Sequence, residues 1–243
     1  MIVFLHGVPE TAAIWKKTRQ AVEQKSIALS LPGFGCPRPP GFVATKDEYV
    51  RWILGELDRI SGPIDLVGHD WGAGFTYRIA TAYGERLHSW VADLGNGVHP
   101  DYQWHEFAKI WQTPGEGEAF FASQNALPPE QLAPRYEAMG VPLADALEMA
   151  AGADATMGDC ILDLYRSATP NLYALWGPFN PTKAPGLILH ATDDPFSDKR
   201  LAAESASALG ARFELIRDVG HFWPYEAPDK GAAILKSFWA SLT

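Results

Sequence analysis

The chain has 243 residues, 47% of them hydrophobic, enough for one sizeable core or a core with a small insertion. A net charge of −9, with no basic run and no basic helix face, argues against nucleic acid or an anionic membrane as partner. The two cysteines, Cys36 and Cys160, fit no metal-ligand or redox spacing and make a disulfide framework improbable, so reduced thiols in a cytoplasmic protein are expected.

The first apolar run, residues 2–5, lacks the basic flank and the length of a secretory signal, and no stretch reaches the length of a membrane span. It reads as a core strand. His6-Gly7-Val8-Pro9 follows at once, a turn whose glycine lets the Val8 N–H point into a site. Residues 27–31 form a second strand, and residues 47–60 place Tyr49, Trp52, Ile53, Leu57 and Ile60 on one helical stripe.

Residues 64–67 are the third strand, and the segment after it narrows the chemistry more than any other. Gly68-His69-Asp70-Trp71-Gly72 is a strand, a sharp turn and a helix start, the G-x-nucleophile-x-G elbow with aspartate where serine is usual. A serine there forms acyl esters. A carboxylate displaces a leaving group from an sp³ carbon and becomes an alkyl ester itself. The backbone N–H groups of Val8 and Trp71 would form the oxyanion hole. His69 reads as a satisfied histidine beneath the elbow and His6 as a shaper of the oxyanion turn. His88, His99, His105 and His190 form no metal-ligand pattern, so no metal or cofactor is expected.

A helix over 74–83 and a strand over 90–94 continue the alternation. It breaks between residues 97 and 181, where the pattern is helical throughout: 103–112, 117–125, 130–139, 143–151 and 156–168. Strands resume at 187–190 and 213–216, with helices over 198–209 and 228–242. The expected fold is therefore α/β with a mainly parallel sheet of about six strands. Residues 1–96 and 182–243 would form the core, and 97–181 a helical cap, or lid, over the C-terminal strand ends. The strand at 187–190 ends in Asp193-Asp194, and Asp218-Val219-Gly220-His221-Phe222 follows the last strand. His221 is the candidate base that activates water, oriented by one of those two aspartates. The order nucleophile, acid, histidine is that of the α/β-hydrolases.

These motifs together resemble the epoxide hydrolase and haloalkane dehalogenase group of the α/β-hydrolases. His6-Gly7-Val8-Pro9-Glu10 is similar to the epoxide hydrolase H-G-x-P-E turn, Leu31-Pro32-Gly33-Phe34-Gly35 to the next strand-end loop, and the Asp70 elbow to both subfamilies. The resemblance implies a two-step reaction: Asp70 alkylation, then ester hydrolysis by His221-activated water, with Asp194 as the acid of an Asp-His-Asp triad. Leu164-Tyr165-Arg166-Ser167 resembles the epoxide hydrolase Tyr-Arg element and makes Tyr165 the acid that protonates the opening epoxide. Val8 stands where many dehalogenases have Asn or Glu. The usual second tyrosine falls near Phe107, with Tyr102, Tyr136 or Tyr173 as substitutes, and Trp111 offers an indole N–H to a halide. Phe107, Trp111, Tyr102, Tyr136 and Phe222 are the expected substrate contacts. The implied substrate is a small apolar epoxide, with a haloalkane as the alternative and a non-catalytic ligand-binding homologue as a third reading. The family carries two further strands before the His-Gly motif, for which this chain has no sequence. That leaves the strand at 27–31 on an open edge, and a homodimer contact or a covering loop is expected there.

Overall fold

Ile-Val-Phe-Leu offers no polar side chain to either face, the composition of a strand covered on both sides. In the computed structural model, which describes residues 1–242, this segment is β1 (Ile2–Leu5), buried along its whole length. A short turn capped by Thr11 leads into α1 (Lys16–Val22), β2 (Ser26–Leu29), α2 (Lys46–Leu57), β3 (Asp65–Gly68), α3 (Trp71–Ala82) and β4 (Ser89–Ala92). A strand-free stretch follows: α4 (Glu106–Gln112), α5 (Glu116–Asn125), α6 (Pro129–Glu137), α7 (Leu143–Gly152), α8 (Ala155–Arg166) and α9 (Leu172–Trp176). Then come β5 (Gly186–Ala191), α10 (Lys199–Leu209), β6 (Arg212–Ile216), α11 (Trp223–Glu226) and α12 (Pro228–Ala240).

The six strands form one parallel sheet in the order β2-β1-β3-β4-β5-β6, the sheet expected from the sequence. Successive side chains alternate between its faces. Val3, Leu5, Leu66, Trp90 and Ile188 pack with residues of α2, α3 and α10, whereas Ile2, Phe4, Val67, Val91 and Leu189 pack with residues of α1 and α12. The register aligns Leu5 with Gly68 and Gly68 with Ala92, so the residues leaving β1, β3 and β4 emerge level with one another. In a parallel sheet that is where a ligand site forms.

Local chemistry sets the boundaries. β2 ends at Leu29, before Leu31, because the Leu31 N–H leaves the ladder and donates to His6 Nε2 at 3.1 Å. α4 starts at Glu106 because His105 caps it, its Nδ1 accepting the Ala108 N–H at 3.2 Å. α1 and α9 were not expected. They have seven and five residues and bury only Thr18 and Val22, and Leu172 and Trp176, too few positions to draw a helical stripe. β2 is the edge strand and is half-buried. Arg19 of α1 donates to the Ser26 hydroxyl at 3.1 Å and its carbonyl at 2.7 Å. Among the described residues no helix is long and apolar enough to cross a membrane.

Candidate active site

The nucleophile candidate is built by a tight crossing of backbones. A Cβ on Gly68 would sit 2.2 Å from the Gly72 carbonyl oxygen, and one on Gly72 would sit 2.3 Å from the Leu5 carbonyl oxygen, so only glycine lets α3 start this close to β1 and β3. Asp70 takes the turn at φ +52°, ψ −119°, a conformation costing about 1–3 kcal/mol for a residue with a Cβ. Its Oδ1 accepts the Val8 N–H at 2.8 Å. The Trp71 N–H is the first of α3 and has no intrahelical partner. The Val8 donor therefore meets the Asp70 carboxylate, and the Trp71 N–H follows it at the helix start. Gly72→Ala should drive α3 off β1 and cost about 3 kcal/mol, visible as a lower Tm. An unchanged melting curve would contradict this packing.

His221 is 4% exposed, with its Nδ1 3.0 Å from Asp194 Oδ2 and its Nε2 4.0 Å from Asp70 Oδ2. The second distance is too long for a direct hydrogen bond. Asp194 Oδ1 accepts the Phe196 N–H at 2.8 Å. Of the two adjacent carboxylates, it is Asp194 that meets His221; Asp193 is exposed and takes the Thr192 hydroxyl at 3.0 Å. Burial alone would lower the His221 pKa, but the Asp194 charge and hydrogen bond outweigh it and raise the imidazole above its ordinary value. Burial would raise Asp194, and the His221 charge and hydrogen bond reverse that and hold it low.

A cavity of about 240 Å³ opens over Asp70, lined among others by Val8, Trp71, Tyr102, Phe107, Trp111, Tyr136, Tyr165, His221 and Phe222. Tyr165 is 2% exposed. Its ring meets Trp71 edge-on at 5.3 Å and Trp104 at 5.2 Å. Tyr102 packs on Trp104 at 5.2 Å. Burial and the nearby Asp70 charge raise both phenols, so both keep their protons at neutral pH. Tyr136 lies on the other side, 6.3 Å from Phe222, whose own ring is 4.8 Å from His221. Phe107 lines the cavity at its rim, 47% exposed and stacked on Trp111 at 6.1 Å, whereas two other expectations need correction. The Trp111 Nε1 is sealed from solvent without an acceptor, its indole packed on Tyr165 at 4.8 Å, so it offers the cavity no N–H. Tyr173 packs on Phe179 at 6.1 Å beside a separate small cavity.

The model of the alpha/beta hydrolase family matches residues 2–234. The chain belongs to the alpha/beta hydrolase family. Among curated relatives of this hydrolase, a haloalkane dehalogenase of Bradyrhizobium diazoefficiens is 26% identical over 149 residues, 52% of this chain and 47% of that protein. An epoxide hydrolase of Caballeronia sordidicola is 30% identical over 93 residues, 35% of this chain and 28% of that protein. The chain spans less than half the length of the curated relatives it matches. The solved epoxide hydrolase from Vigna radiata superposes with a TM-score of 0.78 at 18% identity, over 99% of this chain and 90% of that one, a likeness of fold.

Sequence reasoning passed over three residues of the hydrolase site. Asp93 closes an apolar strand and looks like an ordinary turn residue, yet it accepts the Asp70 backbone N–H at 3.0 Å. Trp223, in a short helix after His221, donates its indole N–H to Asp93 at 2.8 Å. His105 lines the cavity, 4.9 Å from the Phe196 ring. Burial and the His221 charge lower it to about 4, so it is neutral at physiological pH. Only a contact map could have singled these out. Each carries a residue type that is common at strand and helix ends.

Proposed function

We propose that this hydrolase opens epoxides to diols through a covalent ester on Asp70. The carrying observation is that two protonated phenols, Tyr165 and Tyr102, line the same cavity as an aspartate held at the elbow. An Asp70 oxygen attacks the sp³ carbon, the epoxide C–O bond breaks, and the departing oxygen takes the Tyr165 proton. His221 Nε2 then removes a proton from water, and the hydroxide attacks the Asp70 carbonyl carbon. The Val8 and Trp71 N–H groups hold the oxyanion. Collapse releases the diol, which recovers the proton from His221. The regenerated Asp70 carboxyl gives its proton back to the tyrosinate through solvent. Asp194 orients the imidazole and stabilises its cationic form. Residues 97–181 serve as the cap that keeps the site apolar.

The same ester chemistry on a haloalkane is the second reading, favoured by the Trp71 indole lining the cavity directly after Asp70. Trp111, the other indole that a halide would need, has its N–H sealed from the cavity, which leaves a halide poorly served. Diol formation from styrene-oxide-like epoxides, run beside halide release from bromo- and chloroalkanes, decides between them. Halide release without diol would move the chain to the dehalogenase reading.

A pH dependence follows from Asp70. Burial pushes its carboxyl up to about 6, against the lowering field of His221. Attack needs the carboxylate, so the rate of ester formation should rise through pH about 6 and level off above it. The same shift carries a stability sign. A carboxyl raised in the fold contributes stability that is present below its unfolded pKa and lost as pH rises through about 6. Asp70→Asn stays neutral, so it should raise stability above that pH by about 3 kcal/mol, with the gain vanishing toward pH ~4. Thermal melts of both proteins across that range check it. An Asn variant no more stable at high pH would contradict the desolvation of Asp70.

A further inference from the structure

Beneath the elbow lies a chain of ionisable groups that the two-step reaction does not use. Glu10 follows the turn after β1, His69 precedes Asp70, and Asp93 follows β4. Glu10 and His69 are fully buried and Asp93 is 5% exposed. His69 Nδ1 lies 2.5 Å from Asp93 Oδ2, and His69 Nε2 lies 3.1 Å from Glu10 Oε1. Neither Glu10 Oε1 nor His69 Nε2 has a hydrogen-bond partner among the described residues, so that contact is an ion pair alone, whereas the other carboxylate oxygens accept hydrogen bonds. Glu10 Oε2 accepts the Gly7 N–H at 3.1 Å, in the turn that carries the Val8 donor. Asp93 Oδ1 accepts the Asp70 N–H at 3.0 Å, and Oδ2 also accepts the Trp223 indole N–H at 2.8 Å. Trp223 stands two residues after His221.

We propose that Asp93 is a positioning residue whose single carboxylate, through the Asp70 amide and the Trp223 indole, holds the nucleophile and the His221 loop in one register. The proposal rests on the reading of Asp70 and His221 as nucleophile and base. Three strand-end segments, after β3, β4 and β6, converge on that carboxylate. No sheet ladder joins them there, since the sheet ends at Gly68, Ala92 and Ile216. The Asp70 amide needs a fixed acceptor because its residue sits at φ +52°. The 4.0 Å gap between His221 and Asp70 is sensitive to any relative slip of the two loops. A misplacement of about 1 Å costs on the order of 100-fold in rate. Two carboxylates are tolerated at this depth because His69 is a cation between them. Burial opposes that charge, but Asp93 and Glu10 hold the imidazole well above its ordinary pKa. Asparagine could not replace Asp93, since its one oxygen would turn to the paired His69 and Trp223 donors and leave its NH₂ against the Asp70 N–H.

The two halves of the tie separate by mutation. In Trp223→Phe the Asp70 amide keeps its acceptor and only the base loop is released. Rapid-quench mass spectrometry with a styrene-oxide-like epoxide should then show ester loss slowed by about 10- to 100-fold and ester formation within about 3-fold of wild type. Asp93→Asn should slow both steps. Trp15→Phe is the packing control. Its indole N–H has no partner and its ring lies 5.6 Å from Trp223, and it should keep the wild-type ratio of the two rates. Equal slowing of both steps in Trp223→Phe, or unchanged ester loss, would overturn the proposal. Hydrogen exchange in the resting protein needs no substrate. The Asp70 amide should exchange at least about 10-fold faster in Asp93→Asn and at the wild-type rate in Trp223→Phe. Unchanged exchange in Asp93→Asn would equally overturn it. A wild-type protein that forms no ester would count against the reaction proposed above, and the exchange arm would still decide the tie.

Discussion

His221→Gln is expected to stop the reaction half-way, with Asp70 alkylated and the ester unable to hydrolyse. Glutamine in the place beside Asp194 cannot take a proton from water. Loss of a positioned general base costs about 10²- to 10⁴-fold, and here that loss falls on the second step alone. The first step needs only the Asp70 carboxylate and a proton donor at the leaving oxygen. Intact-protein mass spectrometry should therefore show the variant gaining one substrate mass, and proteolysis should place it on the peptide carrying Asp70. Removal of the His221 cation also lets Asp70 titrate higher, so trapping should be run above pH about 7. Full turnover by the variant would remove His221 from the mechanism.

The second large effect is at Tyr165. A phenol is far more acidic than water and can donate to a departing alkoxide, whereas a departing halide is a weak base and gains little. Tyr165→Phe should slow ester formation from an epoxide by roughly 10- to 1000-fold, the scale of one lost acid or oxyanion donor. Hydrolysis of the preformed ester should be nearly unchanged. Residual activity is expected through Tyr102, which lines the same cavity, and Tyr102→Phe in the same chain should remove most of it. Full epoxide turnover in the double variant would sink the proton-donor assignment.

Much of this was legible because backbone crowding leaves marks in sequence. Gly68 and Gly72 flank Asp70 because a Cβ at either would strike a carbonyl oxygen, and the strands read as unbroken apolar runs because both faces of the sheet are covered. The helical stretch between β4 and β5 was legible as helices, but its side-chain directions were not. Phe107 lines the cavity as expected but only at its rim, Trp111 was expected to offer its N–H and has it sealed, and Tyr173 faces another cavity. These depend on how helices pack against one another, which periodicity does not specify. Asp93 shows the same limit at a strand end. The sequence contains an aspartate after an apolar run, and only the sheet register brings it level with Asp70 and within reach of Trp223.

The central claim is that Asp70 is the atom donor to product in the first turnover. A single turnover with enzyme in excess in ¹⁸O-water tests it most directly. The account predicts that solvent oxygen appears in the Asp70 carboxylate and that the first-formed diol carries none. Product labelled in that first turnover, with Asp70 unlabelled, would show direct attack by water and contradict the covalent ester.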